Sequence, residues 1–165
     1  MKTLFDFPNP VNDYAARLVA AMVVVFSLAF LLTFHSFPSL ASWILLFLAY
    51  GFLARVAHGP TLSPMGLLAT KILVPLFKLP EKPVPGPPKR FAQGIGLAFS
   101  VASMFAFFVT GSVAVAGYLI ATLAFFASLE AFLGFCTGCF VFGWLMRFGW
   151  IPDSICKECV IEIDN

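Results

Sequence analysis

All four cysteines of the chain fall into two Cys-x-x-Cys pairs, Cys136-Thr-Gly-Cys139 and Cys156-Lys-Glu-Cys159, with sixteen residues between them. Two thiols at this spacing can close a small disulfide ring. A thiol beside its partner, or at a helix N-terminus, has a lowered pKa and is the better nucleophile. The pairs differ in setting: Phe135, Phe140 and Phe142 surround the first, whereas the second lies on a polar tail from Pro152 that is free to move. A buried dithiol served by a mobile one suits thiol–disulfide exchange, which proceeds through a mixed disulfide. It suits passing a persulfide between cysteines equally well. The same C-x2-C-x16-C-x2-C spacing also fits Cys136, Cys139, Cys156 and Cys159 as four thiolate ligands of one tetrahedral zinc. That ion would staple the tail to the preceding helix, although large aromatics flank the first pair where a zinc knuckle has polar turn residues. Inert thiols are the third reading. A plain structural disulfide is not expected in a reducing compartment.

Few other residues offer chemistry. Glu130 stands near the end of an apolar run, where a carboxylate is costly unless it is paired or near water. It can take a proton from a cysteine or form a clasp with Arg17, Arg55 or Arg147, which lie at the same level. Gly134 and Gly138 bracket Cys136 at a spacing that either admits a neighbouring backbone or marks a hinge at a helix end. His58 is read as an interfacial, solvated histidine, and His35 carries no signal. No phosphate-binding glycine loop, paired-histidine metal motif or nucleophile elbow occurs.

The elements that must position these residues are set by composition. Of 165 residues, 61% are apolar and 11% charged, and 21 are Phe. A soluble domain is roughly 45–50% apolar and about 25% charged, and such a chain could not hide its apolar surface from water. The solvent is therefore lipid. A net charge of +2 with no basic run among aromatics excludes a nucleic-acid surface. The fold class expected is an all-α integral membrane protein: a four-helix transmembrane bundle with a short interfacial helix and a cytoplasmic Cys-rich end. Residues 1–150 form the membrane domain, with spans at about 15–34, 40–57, 92–110 and 113–135, the last free to run on past Cys139; each is near the ~20 residues that cross a bilayer. Residues 62–79 are read as the interfacial helix, with Lys71 and Lys78 on one face. The Pro-rich stretch 80–88 is a stiff linker, and 151–165 is the tail carrying the second pair. Ala98, Ala102 and Ala106 form a small-residue stripe for close helix approach. Asp6 and Asp13 before the first apolar run speak against a cleaved signal peptide. With four spans, all ten Lys and Arg fall on one side. The positive-inside rule then places both termini and the long middle loop in the cytoplasm.

The stretch from Glu130 to Cys159, with GFCTGC, WLMRFGWIP and CKEC, resembles a bacterial family of small membrane proteins known as domain of unknown function 4395. Pro10-Val-Asn-Asp-Tyr-Ala-Ala-Arg17 and Arg90-Phe-Ala-Gln-Gly94 match its other landmarks, so the resemblance covers nearly the whole chain. It implies a bacterial inner-membrane location and makes the cysteine pairs, Arg17, Arg90, Glu130 and Arg147 the natural candidates for a shared site, but it carries no activity. The leading expectation is membrane thiol–disulfide exchange or sulfur transfer, with a thioredoxin-like or rhodanese-like partner. Cys136 and Cys139 form the boundary site, Cys156 and Cys159 relay to the partner, and Glu130 and Arg147 tune the thiols. Because every cysteine is at one end, electron passage through the bundle needs an internal acceptor such as a quinone. The rivals are a zinc-stapled membrane scaffold, which is no enzyme, and a small-molecule transporter with a cysteine-controlled gate. A homo-oligomer is compatible with all three.

Overall fold

In lipid a spanning segment must satisfy its own backbone N–H and C=O groups, which a helix does. The computed structural model, which describes residues 7–156 and Cys159, contains four helices long and apolar enough to cross a membrane. The first is α1 (Asp13–Thr33), capped by the side chain of Asn12, which accepts from the Tyr14 N–H at 3.0 Å. Helix α2 (Pro38–His58) begins with a proline in its first turn, where the missing N–H costs nothing. After a 3-10 turn (Gly59–Thr61), α3 (Pro64–Leu67) runs through a π-helical stretch (Leu68–Leu73) into α4 (Val74–Leu76). The third span is α5 (Gly86–Phe108). The fourth is α6 (Val113–Ser128), extended by a π-helical stretch (Leu129–Leu133), and α7 (Thr137–Arg147) follows. At 21 residues, α1 is about 30 Å long, the thickness of the hydrocarbon core.

Helix α1 packs on α2 and α6, and α5 packs on the same two, so the spans close a ring in the order α1–α2–α5–α6. Phe30, Leu45, Leu48, Met65 and Ile120 are fully buried at its centre. Leu32, Trp43, Val101, Phe105, Tyr118 and Phe125 are exposed on the outside, as a lipid-facing surface requires. Short α7 lies against α5. A two-residue antiparallel ladder joins β1 (Val11–Asn12) to β2 (Pro83–Val84) and ties the entry of α1 to the end of the middle connection.

Several expected boundaries move. The stretch read as linker ends early, since Gly86, Pro87 and Pro88 already form the first turn of α5. Proline is tolerated there because its fixed φ suits a helix start, so Lys89 and Arg90 are helical residues and not loop residues. The segment expected at 62–79 is helical over Pro64–Leu76 and packs on α1. Met65 and Ala69 are buried in the main core, while Lys71, Ile72, Leu76 and Lys78 are exposed. The small-residue stripe of α5 is out of phase with the one expected: Ala98 and Ala102 are exposed, and Gly96, Ser100, Ser103 and Ala106 face the bundle. Ser103 donates to the Ala116 carbonyl across the α5–α6 contact at 3.1 Å. The fourth span does not run through the first cysteine pair but breaks at Gly134.

Candidate functional site

The break after α6 is made by backbone chemistry. Gly134 takes the left-handed conformation at φ 70°, and its N–H donates to the Glu130 carbonyl at 3.1 Å. The last carbonyls of a helix have no partner within it, and Arg17 of α1 supplies one. Its Nη2 donates to Phe132 O at 3.1 Å and, with Nε, to Ala131 O at 3.4 Å. The chain then re-enters a helix at Cys136, the N-cap residue of α7, whose Sγ accepts from the Cys139 N–H at 3.2 Å. Cys136 and Cys139 are joined as a disulfide. On reduction, the free N–H groups and the positive end of the helix dipole favour a thiolate at the N-cap position.

A chain of buried charges lies beside this turn. Lys89 Nζ sits 2.8 Å from Glu130 Oε1 and 3.1 Å from Asp13 Oδ1, and the Lys89 and Asp13 side chains are each only 7% exposed. The exposed Lys82 meets the other Asp13 oxygen at 3.3 Å. Charges buried at this depth persist only when paired, and here one ammonium serves a carboxylate from α1 and one from the α6 extension. Next to it, buried Arg55 donates to Gln93 Oε1 at 2.7 Å and to Ser63 Oγ at 3.1 Å, and lies over the Phe52 ring. The bond from Arg55 uses the Gln93 carbonyl oxygen and leaves the amide NH2 as donor.

Between α1, α5, α6 and α7 is a cavity of about 230 Å³. Val23, Phe52, Phe99, Leu123 and Phe126 make its walls apolar, and Gln93, Glu130, Cys136 and Thr137 line it at the charged end. The Thr137 hydroxyl is buried with no hydrogen-bond partner. A smaller cavity of about 140 Å³ lies on the other side of Gln93, lined also by Arg55 and Lys89.

The second pair is not on a free tail. A turn through Gly149, at φ 73°, folds the chain back along α7, with Trp150 and Ile151 N–H groups donating to the Leu145 carbonyl. Cys156 and Cys159, also joined as a disulfide, are 4% and 8% exposed. They pack with Phe142 and Met146 of α7, Phe91 and Ile151. The remainder of the tail, including Lys157, lies outside the described residues. The two pairs thus share one short helix, the first at its N-terminus and the second along its flank. Each is closed on itself, and among the described residues no three His, Cys, Asp or Glu gather as a metal-binding group.

Of the residues singled out from the sequence, Glu130 and Cys136 both line the cavity, and Cys139 is bonded to Cys136. Cys156 and Cys159 sit apart on α7. Arg147 is the exposed last residue of α7 and is not the partner of Glu130. Arg17 is a carbonyl cap, and Arg90 donates to Val56 O at 2.9 Å. Lys89, Asp13, Gln93 and Thr137 were not recognised as site residues. The signal for Lys89 was present: a proline pair followed by a lysine can open a helix as readily as it continues a linker.

A family model described as "Domain of unknown function (DUF4395)" matches residues 11–147. No curated protein and no solved structure matches the chain.

Proposed function

The chain belongs to the family described as domain of unknown function (DUF4395), and we propose that it carries out thiol–disulfide exchange at the membrane boundary. In this reading Cys136–Cys139 is the pair coupled to the membrane and Cys156–Cys159 the pair that meets a soluble thioredoxin-like partner. The observation that carries it is the position of Cys136, which caps α7 and lines the same cavity as Glu130. The proposed location is a bacterial cell membrane with this end in the cytoplasm, where the lysines and arginines gather. Disulfides in that compartment are characteristically transient and catalytic.

The exchange balances without an added reagent. A thiolate of the partner attacks one sulfur of Cys156–Cys159, forming a mixed disulfide and releasing the other cysteine as thiolate. The partner's second thiol then attacks the mixed disulfide. The partner leaves oxidised, and the protein holds two reduced sulfurs. The same two steps carry the reducing equivalents from Cys156 and Cys159 to Cys136 and Cys139. Because the second pair is buried, its segment has to lift from Phe142 and Met146 for the partner to reach it.

Closed pairs favour this reading over a persulfide relay. A persulfide on one cysteine is discharged by an adjacent thiol, which forms the disulfide and expels hydrosulfide. A zinc-stapled scaffold would need four sulfurs in one tetrahedron, and the pairs lie at different points along α7. The test is a trapping experiment in detergent-solubilised protein. With the Cys156–Cys159 disulfide intact, a reduced thioredoxin-like protein lacking its resolving cysteine should attack it and be held as a one-to-one mixed disulfide, lost when Cys156 and Cys159 are both replaced by Ser. One firmly held zinc per chain, with all four thiols unreactive, would sink the proposal.

A further inference from the structure

Exchange with a soluble partner leaves Cys136 and Cys139 reduced, and the cavity they adjoin indicates where those electrons go. We infer that it is a binding site for the head group of a lipid-soluble quinone, which reoxidises the pair; this rests on the exchange reading above.

Three properties of the cavity select the occupant. Its walls are largely apolar and belong to membrane-spanning helices, so what enters has to partition into lipid. Its volume of about 230 Å³ far exceeds the ~10–15 Å³ that one water needs on the same measure, so there is room for a ring. Its polar end is lined by Thr137, whose hydroxyl is buried without a partner, and by Gln93, whose oxygen is taken by Arg55 so that its NH2 is left to donate. A buried hydroxyl without a partner is costly, and a ring bearing carbonyl oxygens supplies the acceptor. Cys136 is at the same end. An occupant that is apolar, cyclic, carbonyl-bearing and placed beside a dithiol is a quinone by chemical class.

The step balances. As the S–S bond forms, two electrons pass from the sulfurs to the ring, and the two thiol protons end on the two quinone oxygens, so dithiol plus quinone gives disulfide plus hydroquinone. Glu130, on the cavity wall and bound through one oxygen to Lys89, is placed to carry a proton from sulfur to ring. Glu130→Gln keeps the shape, leaves Lys89 paired with Asp13 and removes the proton-carrying group, so a changed pH profile of turnover reports proton transfer where a merely structural role would not.

The experiment uses the full chain in lipid nanodiscs under anaerobic conditions, with a short-tail benzoquinone and a short-tail naphthoquinone as probes. Pre-reduced protein should convert one quinone to hydroquinone per Cys136–Cys139 pair oxidised, followed by ultraviolet absorbance and thiol alkylation. Cys136→Ser with Cys139→Ser should abolish the conversion. Thr137→Val should raise the quinone KM about tenfold with little change in kcat, and Glu130→Gln should lower kcat and alter its pH profile. A photoreactive azidoquinone should label the segments around Gln93 and Thr137, a readout that survives if a variant folds poorly. Mixed-disulfide trapping with no hydroquinone formed would overturn this inference and leave the exchange reading standing. Neither trapping nor hydroquinone would overturn both. Labelling confined to the outer helix faces would overturn the site.

Discussion

Lys89 shows how much one side chain can decide in this bundle. It neutralises Asp13 and Glu130 at once, and all three are nearly out of reach of solvent. Glu130 was legible as a residue needing a partner, because an ionised group in an apolar helix has to be paired. The partner was not legible, because the prolines before Lys89 fit a linker and a helix start equally, and only tertiary packing chooses. Removing one member of a buried pair strands the other and costs about 3–5 kcal/mol. Lys89→Met should therefore lower stability by that order, read from denaturant midpoints in mild detergent. Lys82 cannot compensate, since it is 59% exposed and reaches only Asp13. The double variant Lys89→Met with Glu130→Gln should recover part of the loss, which a double-mutant cycle would resolve. A silent Lys89→Met would mean that the charges are solvated in the membrane-embedded protein.

At the scale of elements, the junction of α6 and α7 does the positioning. The hinge at Gly134 was readable from glycine's preference for helix ends, but the separate helix behind it was not. Residues 137–147 continue the apolar character of the span, and periodicity alone does not reveal a change of direction. Gly134 has φ 70°, and a non-glycine residue in left-handed geometry costs about 1–2 kcal/mol. Gly134→Ala should destabilise by that amount through backbone strain, because the added methyl would meet Arg17 at an ordinary 3.4 Å. Gly134→Asn, which tolerates the conformation better, should cost less. A different part of α7 controls the second cysteine pair, which was expected on a moving tail and is instead docked on Phe142 and Met146. Trimming a buried Met to Ala removes about 2–5 kcal/mol of packing, and each 1.4 kcal/mol is roughly tenfold in an equilibrium. Met146→Ala should thus speed reduction of Cys156–Cys159 by a soluble dithiol at least about tenfold, with Cys136–Cys139 little affected. Time-resolved alkylation with peptide mass analysis separates the pairs. Equal acceleration of both would mean that α7 unfolds as a whole and the docked segment is no gate.

The whole molecule was the most legible level, because lipid imposes a simple rule: apolar runs of spanning length become helices and pack. Four runs gave four spans, and the short connections 34–37 and 109–112 make neighbours of α1 and α2 and of α5 and α6, which then close into a ring. Packing phase within α5 did not follow, since several small-residue registers compete until the neighbouring helices choose one. The exchange proposal adds a demand at this scale, that the cysteine end faces the compartment holding reducing partners. The connections at the opposite end, residues 34–37 and 109–112, carry no Lys or Arg, so the charge bias is complete and the positive-inside rule applies without competition. The consequence is measurable with a membrane-impermeant maleimide on the only four cysteines in the chain. After reduction, inverted membrane vesicles should label at Cys156 and Cys159, right-side-out vesicles should remain unlabelled, and detergent should expose both preparations alike. Labelling of right-side-out vesicles would place the pair on the outer face. The docked segment would then meet external dithiols and oxidise them, electron flow would run from those thiols toward the bundle, and the assignment of a cytoplasmic thioredoxin-like donor would fall while the dithiol chemistry at α7 stayed in place.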